Sequence, residues 1–432
     1  MSGMLDHQNS NTVKSTNAFA DFYRQLVDDT SFLWILRSVA MEQPHYTLSD
    51  ISSLEERIST NLNGIMSSLE HGWKACESAL ELEEPGEVFT SMVIAMRSHE
   101  PEKIQRAVEA GLSNEHALPG LLSAMGWLPA DIVSPWIERF LKGKEMEHKY
   151  LGVAICSIRR IDPGNVLTNI LERDDCRQNE RLYCRALRLV GELHRQDCMS
   201  ALSKALDIDN PEIQFWATWS SVLLGHRAVI THFLPIISTP GPHQSKAIQM
   251  AFRVLPVNLA REWISTLSED ESQYRTVIKA VSTLGDPHAI DWLISKMHDP
   301  LLAKLAGEAF VTITGIDFTK HHLTIDETET TEETTEVNSE DHEDSPEISS
   351  NAEEDQNLPL PNVEKVAIIW RNHGQNYITG QRYFMGKPIT AEHLKNIILT
   401  GNQRQRHSAA LELALIDNNT LLQNTREKSL SS

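Results

Sequence analysis

The chain has 432 residues, 41% hydrophobic and 23% charged, with a net charge of −21, which excludes a wholly disordered protein. Fourteen acidic residues and no Lys or Arg fall between Asp326 and Asp355, so the remainder carries only about −7. That acidic balance argues against nucleic-acid binding, whose affinity comes largely from neutralising phosphates.

No apolar run approaches the ~18 residues of a membrane span, and the N-terminus lacks the basic start and apolar run of a signal peptide. The five cysteines, Cys76, Cys156, Cys176, Cys184 and Cys198, are odd in number and without framework spacing. They read as small buried hydrophobes in a reducing, cytoplasmic setting.

Residues 1–18 are polar and patternless and are expected to be unfolded. Phe22 to Met41, with clustered Phe22, Tyr23, Phe32 and Trp34, reads as one or two short helices. Ile51, Leu54, Ile58, Leu62, Ile65, Leu69, Trp73, Cys76 and Leu80 then repeat spacings of 3, 4 and 4. That 11-residue period is near the natural twist of a straight helix and predicts one long helix, weakened at Gly64 and Gly72. It completes an N-terminal helical region over 19–84.

From 85 to 319 the chain reads as a repeat array. Short helical segments break at Glu100-Pro101, Asn114 and Pro119-Gly120, and Asp162-Pro163 caps a later one. Two units match closely. Asn210-Pro211 precedes Ile213, Trp216, Ala217, Ser220, Ser221 and Leu224, then Gly225. Asp299-Pro300 precedes Leu302, Leu305, Ala306, Ala309, Phe310 and Ile313, then Gly315. A capping Asn or Asp, proline at the first turn and a terminal glycine mark each helix. The hairpin from Leu284 to Gly315 cannot bury both faces alone, so it requires stacked neighbours.

Residues 320–362 form an acidic, Thr/Ser-rich insert, too poor in apolar residues to offset ordering. Beyond it, VEKVAIIW (Val363 to Trp370) reads as a strand, a turn follows at Asn372-His373-Gly374, and Tyr377 to Phe384 is expected to pair back, giving a β-hairpin insertion over 363–388. A C-terminal helical pair over 389–417 and a flexible tail over 418–432 complete the chain.

These repeats resemble the HEAT family in its short bacterial form, on the Gly-Asp-Pro turn of Gly285 to Pro287 and the small-residue face of the second helix. The resemblance implies an all-α solenoid of antiparallel helix pairs. The run Trp370, Arg371, Gly380, Arg382, Tyr383, Gly386, Pro388, Arg404, Arg406 and Ala409 to Leu415 also resembles a proteobacterial HEAT-like family often encoded near type VI secretion components. That likeness implies a secretion context and no chemistry.

The sequence contains no phosphate-binding loop, dinucleotide fingerprint or nucleophile elbow. Cys176 and Cys184 are not spaced as zinc ligands. His-Glu pairs occur only at His99-Glu100 and His342-Glu343, too few for a HEAT-like di-iron hydroxylase. Adjacent His321 and His322 read as solvent-exposed loop residues. No cofactor or metal is expected. Trp216 belongs to an apolar face, whereas Trp219 and Trp292 fall off the main faces and are candidates for the surface.

The strongest local candidate is a basic, aromatic concentration in an acidic chain: Trp370, Arg371, Arg382, Tyr383, Arg404 and Arg406. Arg with aromatics is typical of interface anchors. It is expected either to dock an acidic or extended segment of another protein, or to be a structural hairpin whose arginines form ordinary salt bridges. The expected function is a non-catalytic scaffold or adaptor for another protein, and the resemblance implies type VI secretion cargo or an assembly component as that partner. The rival is a HEAT-like lyase or metal-dependent modifying enzyme.

Overall fold

The computed structural model describes residues 5–325, 354–417 and 420–429, with the side chains of 5–18 left out. Helix starts follow the residues that cap them. Thr47 accepts from the Asp50 amide while Asp50 answers the Thr47 amide, a capping box that opens its helix. Asn210 accepts from the Glu212 and Ile213 amides. Asp299, expected to cap the matching helix, instead accepts from Leu301 in a turn that precedes the helix starting at Ala303, whose N-cap is Leu302 with no side-chain bond.

Among the described residues the fold is all-α and solenoid-like, with one two-stranded antiparallel sheet. The helices begin with α1 (Leu5–Ala40), α2 (Leu48–Met66), α3 (Leu69–Ala79), α4 (Pro85–Ser98), α5 (Pro101–Leu112), α6 (Leu118–Trp127) and α7 (Ala130–Lys142). They continue with α8 (Met146–Arg159), α9 (Asn165–Glu172), α10 (Asp174–Gln178), α11 (Glu180–Glu192), α12 (Met199–Leu206), α13 (Pro211–Leu223) and α14 (Phe233–Ser238). Then come α15 (Gln244–Val254), α16 (Val257–Leu267), α17 (Tyr274–Leu284), α18 (Ile290–Lys296) and α19 (Ala303–Thr314). The last three are α20 (Val363–His373), α21 (Ala391–Thr400) and α22 (Gln403–Ile416), with strands β1 (Tyr383–Phe384) and β2 (Lys387–Pro388) between α20 and α21. No helix among the described residues is long and apolar enough to cross a membrane.

The chain divides into two units. The first comprises Met1–Ser220, Thr400–Arg404 and Leu421–Ser432; the second comprises Ser221–Leu399 and Gln405–Thr420. In the first, α1 packs on α2, α3 and α4, and alternate helices then stack as α4 on α6, α6 on α8 and α8 on α11. In the second, α15 stacks on α17 and α17 on α19. This stacking accounts for the small-residue face of α19, where Ala303, Ala306, Ala309, Phe310 and Ile313 are all buried.

Several sequence expectations need correcting. The single helix expected from Ile51 to Leu80 is two, because the chain turns at Ser67-Ser68. The Ser67 hydroxyl donates to the Gly64 carbonyl at 2.7 Å, and Ser68 is extended. The apolar period survives the break because both helices face one core. Gly72 permits the fold-back, since a Cβ there would sit 2.4 Å from the Ile65 carbonyl oxygen. The long helix is instead α1, which begins at Leu5 inside the stretch expected to be unfolded.

Val363 to Trp370 is helical rather than a strand. Asn362 caps the Lys365 amide, and Val363, Val366, Ala367 and Trp370 have helical spacing that the β-branched run disguises. The hairpin is correspondingly short, with Tyr383 opposite Pro388 and Phe384 opposite Lys387. Its Met385-Gly386 turn has positive φ at both residues, the two-residue geometry that matches strand twist.

The acidic insert, 326–353 in particular, lies outside the described residues. Its flanks do not: Thr324 bridges Pro361, and the Ile325 amide donates to Leu360. Glu354 and Asp355 pair with Lys279 and Arg275 of α17. Trp219 is buried and packs edge-on against Trp216 at 5.7 Å rather than reaching the surface.

Candidate peptide-binding site

The six residues singled out from sequence have separate fates. Arg404 belongs to the first unit, where its Nε donates to the Glu42 carbonyl at 2.7 Å. The other five belong to the second. Trp370 is half-buried in a run of rings from Phe310 (6.2 Å) to Tyr377 (5.4 Å), which in turn meets the buried Tyr383 at 5.0 Å. Arg406 is buried, its Nε on the Ile398 carbonyl. Arg371 is exposed and folds back on Ala367 of its own helix.

Arg382 is the most heavily engaged. Its guanidinium donates to the carbonyls of Leu284 (2.8 Å) and Arg253 (2.6 Å), which end α17 and α15, and forks onto the Glu412 carboxylate at 2.9 and 2.8 Å. It thereby satisfies orphan carbonyls at two helix C-termini. Arg253 reaches the same carboxylate at 3.2 Å, and its burial pushes its guanidinium down to about 10. Glu412 was the readable signal here, a single carboxylate in the apolar stretch Ala409 to Ile416. The described arrangement spends these groups on holding the hairpin to α15, α17 and α22.

Asp286 has a comparable role. In the Gly-Asp-Pro turn it accepts from the His288 amide, binds the Arg261 guanidinium at 2.7 Å and anchors the hairpin through the Gly380 amide at 3.0 Å.

Sequence reasoning missed a groove in the first unit. Residues 421–429, expected to be a frayed tail, lie against α1, α2, α6 and α8. The groove supplies partners to their backbone: Arg160 Nε donates to the Leu422 carbonyl at 2.6 Å, an Arg37 terminal nitrogen to the Arg426 carbonyl at 3.0 Å, and the Ser429 amide to Glu55 Oε2 at 2.8 Å.

Side chains add register. Asn424 heads a turn in which its Oδ1 accepts from the Arg426 amide, while its Nδ2 donates to the Ile158 carbonyl at 2.8 Å. Arg426 pairs with Glu42. The Lys428 ammonium stands 4.3 Å from the centre of the Trp127 ring, which the Arg37 guanidinium also approaches at 5.7 Å, and burial pushes Lys428 below its ordinary value.

The groove's own side chains also bond to one another and to the helices that form it. Arg37 and Glu55 form a buried pair, with Arg37 Nε 2.8 Å from the carboxylate. Arg159 donates to the carbonyls of Met125 and Leu128 at the end of α6. Arg160 adopts a left-handed φ of +52° at the end of α8, a conformation that costs a non-glycine residue about 1 kcal/mol. Its side chain there joins the buried Glu192 to the Leu422 carbonyl. A cavity of about 40 Å³ remains between segment and floor, lined by Arg37, Trp127, Arg159, Asn424 and Lys428, polar and roomy enough for water.

Among the described residues no three His, Cys, Asp or Glu side chains converge as a metal site. All five cysteines are free and buried, and desolvation pushes the thiols of Cys76, Cys156 and Cys184 up to about 12. No protein-family model, curated protein or solved structure matches the chain.

Proposed function

We propose that the chain is a protein-binding scaffold that acts by docking a partner rather than by catalysis, with the groove of the first unit as its peptide-binding site. The observation that carries this reading is that the groove already holds a linear peptide, residues 421–429, through backbone carbonyls, a turn and a cation over an indole. Donors aimed at main-chain carbonyls grip any peptide of suitable shape, and side-chain slots confer preference. The resemblance to HEAT-like proteins encoded near type VI secretion components supports a secretion cargo or assembly component as the partner.

The test is affinity purification from cells that make the protein, comparing the intact chain with Trp127→Leu, a change at the indole that Lys428 covers. A partner held by the first and reduced at least several-fold with the second supports the groove. No specific partner with either variant overturns the scaffold reading.

A second surface has its own observation. Ile368 and Arg371, one turn apart on α20, are both exposed, and Ile378 is 65% exposed. Loss of the partner with Arg371→Glu but not with Trp127→Leu would move docking to that surface of the second unit. Arg371 is suited to this test because Arg382 and Arg406 are committed to internal contacts.

A further inference from the structure

We infer that the segment 421–429 is a built-in competitor in this groove, and that the groove's other occupant is a partner's linear segment carrying an Asn-headed turn with a basic residue two and four positions later. This inference rests on the scaffold reading above and specifies its ligand and its regulation.

The ligand rule follows from what each position touches. Arg37 and Arg160 meet carbonyls, so they select a chain path and no side chain. Selection falls to three slots. Asn424 makes both its turn and its bond to Ile158, a pairing that needs an amide with acceptor and donor together. The position that closes the turn, Arg426, faces Glu42, and the position two further on stacks over Trp127, where an ammonium is favoured by the ring. Only Thr425 of the described segment is buried, so little apolar surface resists its release.

A weakly held segment stays in place because it is tethered. A short tether gives an effective concentration on the order of millimolar, so a free partner must out-compete a ligand that never diffuses away. A partner segment therefore binds the intact chain with its affinity reduced by the fraction of time the groove stands open. The preference for a basic occupant rests on Glu42 and on the Trp127 ring, since Glu55 is paired with Arg37, and Arg37 and Arg160 meet main-chain carbonyls.

The experiment uses the full chain and a fluorescent synthetic peptide of residues 421–429, followed by anisotropy. In one variant, Arg426→Ala with Lys428→Ala, the tethered segment loses two slots. That variant is expected to bind the peptide about tenfold more tightly than the intact chain does, and to bind a scrambled peptide poorly. Adding Glu42→Lys, a change at an exposed side chain, should loosen the peptide about fivefold. A peptide carrying Arg426→Glu should recover that loss on the Glu42→Lys chain. Adding Trp127→Leu should loosen it further, with helical circular dichroism checking that each variant is folded.

No saturable binding by the weakened chain, equal binding by intact and weakened chains, or equal binding of the scrambled peptide would each overturn the inference. So would concentration-dependent dimerisation of the intact chain that is lost with Arg426→Ala and Lys428→Ala, which would assign the groove to a second copy's tail. Peptide binding that fails while a cellular partner is still lost with Trp127→Leu overturns this ligand rule and leaves the scaffold reading standing. Peptide binding without any cellular partner does the reverse.

Discussion

At the scale of single residues, buried carboxylates decide more than the exposed basic groups do. Glu412 is 4% exposed and is gripped by Arg382 and Arg253. Removing one partner of such a pair strands the others' charge in the interior, at a cost of about 3–5 kcal/mol. Glu412→Gln should therefore lower the urea midpoint sharply, whereas Arg371→Ala, at an exposed side chain, should shift stability by less than about 0.5 kcal/mol. Equal midpoints for the two would contradict the clasp.

Glu87 shows the opposite electrostatic situation. Its Oε2 is buried with no hydrogen-bond partner among the described residues, and desolvation, with Glu84 and Asp28 nearby, holds its carboxyl above the ordinary 4.5. Folding then favours the protonated form, so this group's stabilisation is full below pH 4.5 and is lost as pH rises through the raised value. Glu87→Gln should raise the melting temperature at pH 7, and the gain should shrink towards zero near pH 4. A gain that is constant with pH would contradict the assignment.

At the scale of elements, the hairpin is seated on helix ends rather than on a sheet. The Tyr383 amide donates to the Gly285 carbonyl at 2.7 Å, and the Met385 and Gly386 amides donate to Thr312 and Ile313 at the end of α19. Phe384 enters a cluster with Leu394, Ile397, Ile398, Ala409, Ala410 and Leu413. Gly285 is the tight point, with φ of +73° and a Cβ that would fall 2.2 Å from the Tyr383 carbonyl oxygen. Gly285→Ala should cost about 2 kcal/mol or more through strain and displacement of the hairpin, read as a lower melting temperature. An unchanged melting temperature would mean that the hairpin tolerates release.

The Asn210-Pro211 cap and the small-residue face of α19 were legible from sequence because they rest on local rules and needed only neighbours within a turn or two. Asp299-Pro300, by contrast, heads a turn, and α19 itself starts at Ala303. VEKVAIIW was not legible, since its β-branched residues suit a strand while their spacing suits a helix. Only the Asn362 cap and packing against the second unit's core separate the two.

At the scale of the whole molecule, the candidate site was the least legible part. For Arg382 the sequence left a docking anchor and a structural clasp both open, because it cannot show that Glu412, Leu284 and Arg253 converge on it. The groove was invisible for a related reason. Arg37, Trp127 and Arg160 lie far apart in the chain, and residues 421–429 have neither helical nor strand periodicity. Beyond its local Asn424 turn, such a segment gains its order from contacts made hundreds of residues away.

The first unit gathers residues from both ends of the sequence, and that has a consequence for synthesis. Segment 421–429 emerges about 200 residues after Ser220. At roughly 5–20 residues per second, α1 to α11 have some ten to forty seconds to fold before the segment that fills their groove has been made. During that interval the groove has no tethered competitor, so a nascent chain is its most receptive form. A partner present at the ribosome would meet a vacant seat, whereas one arriving later would have to displace the tail.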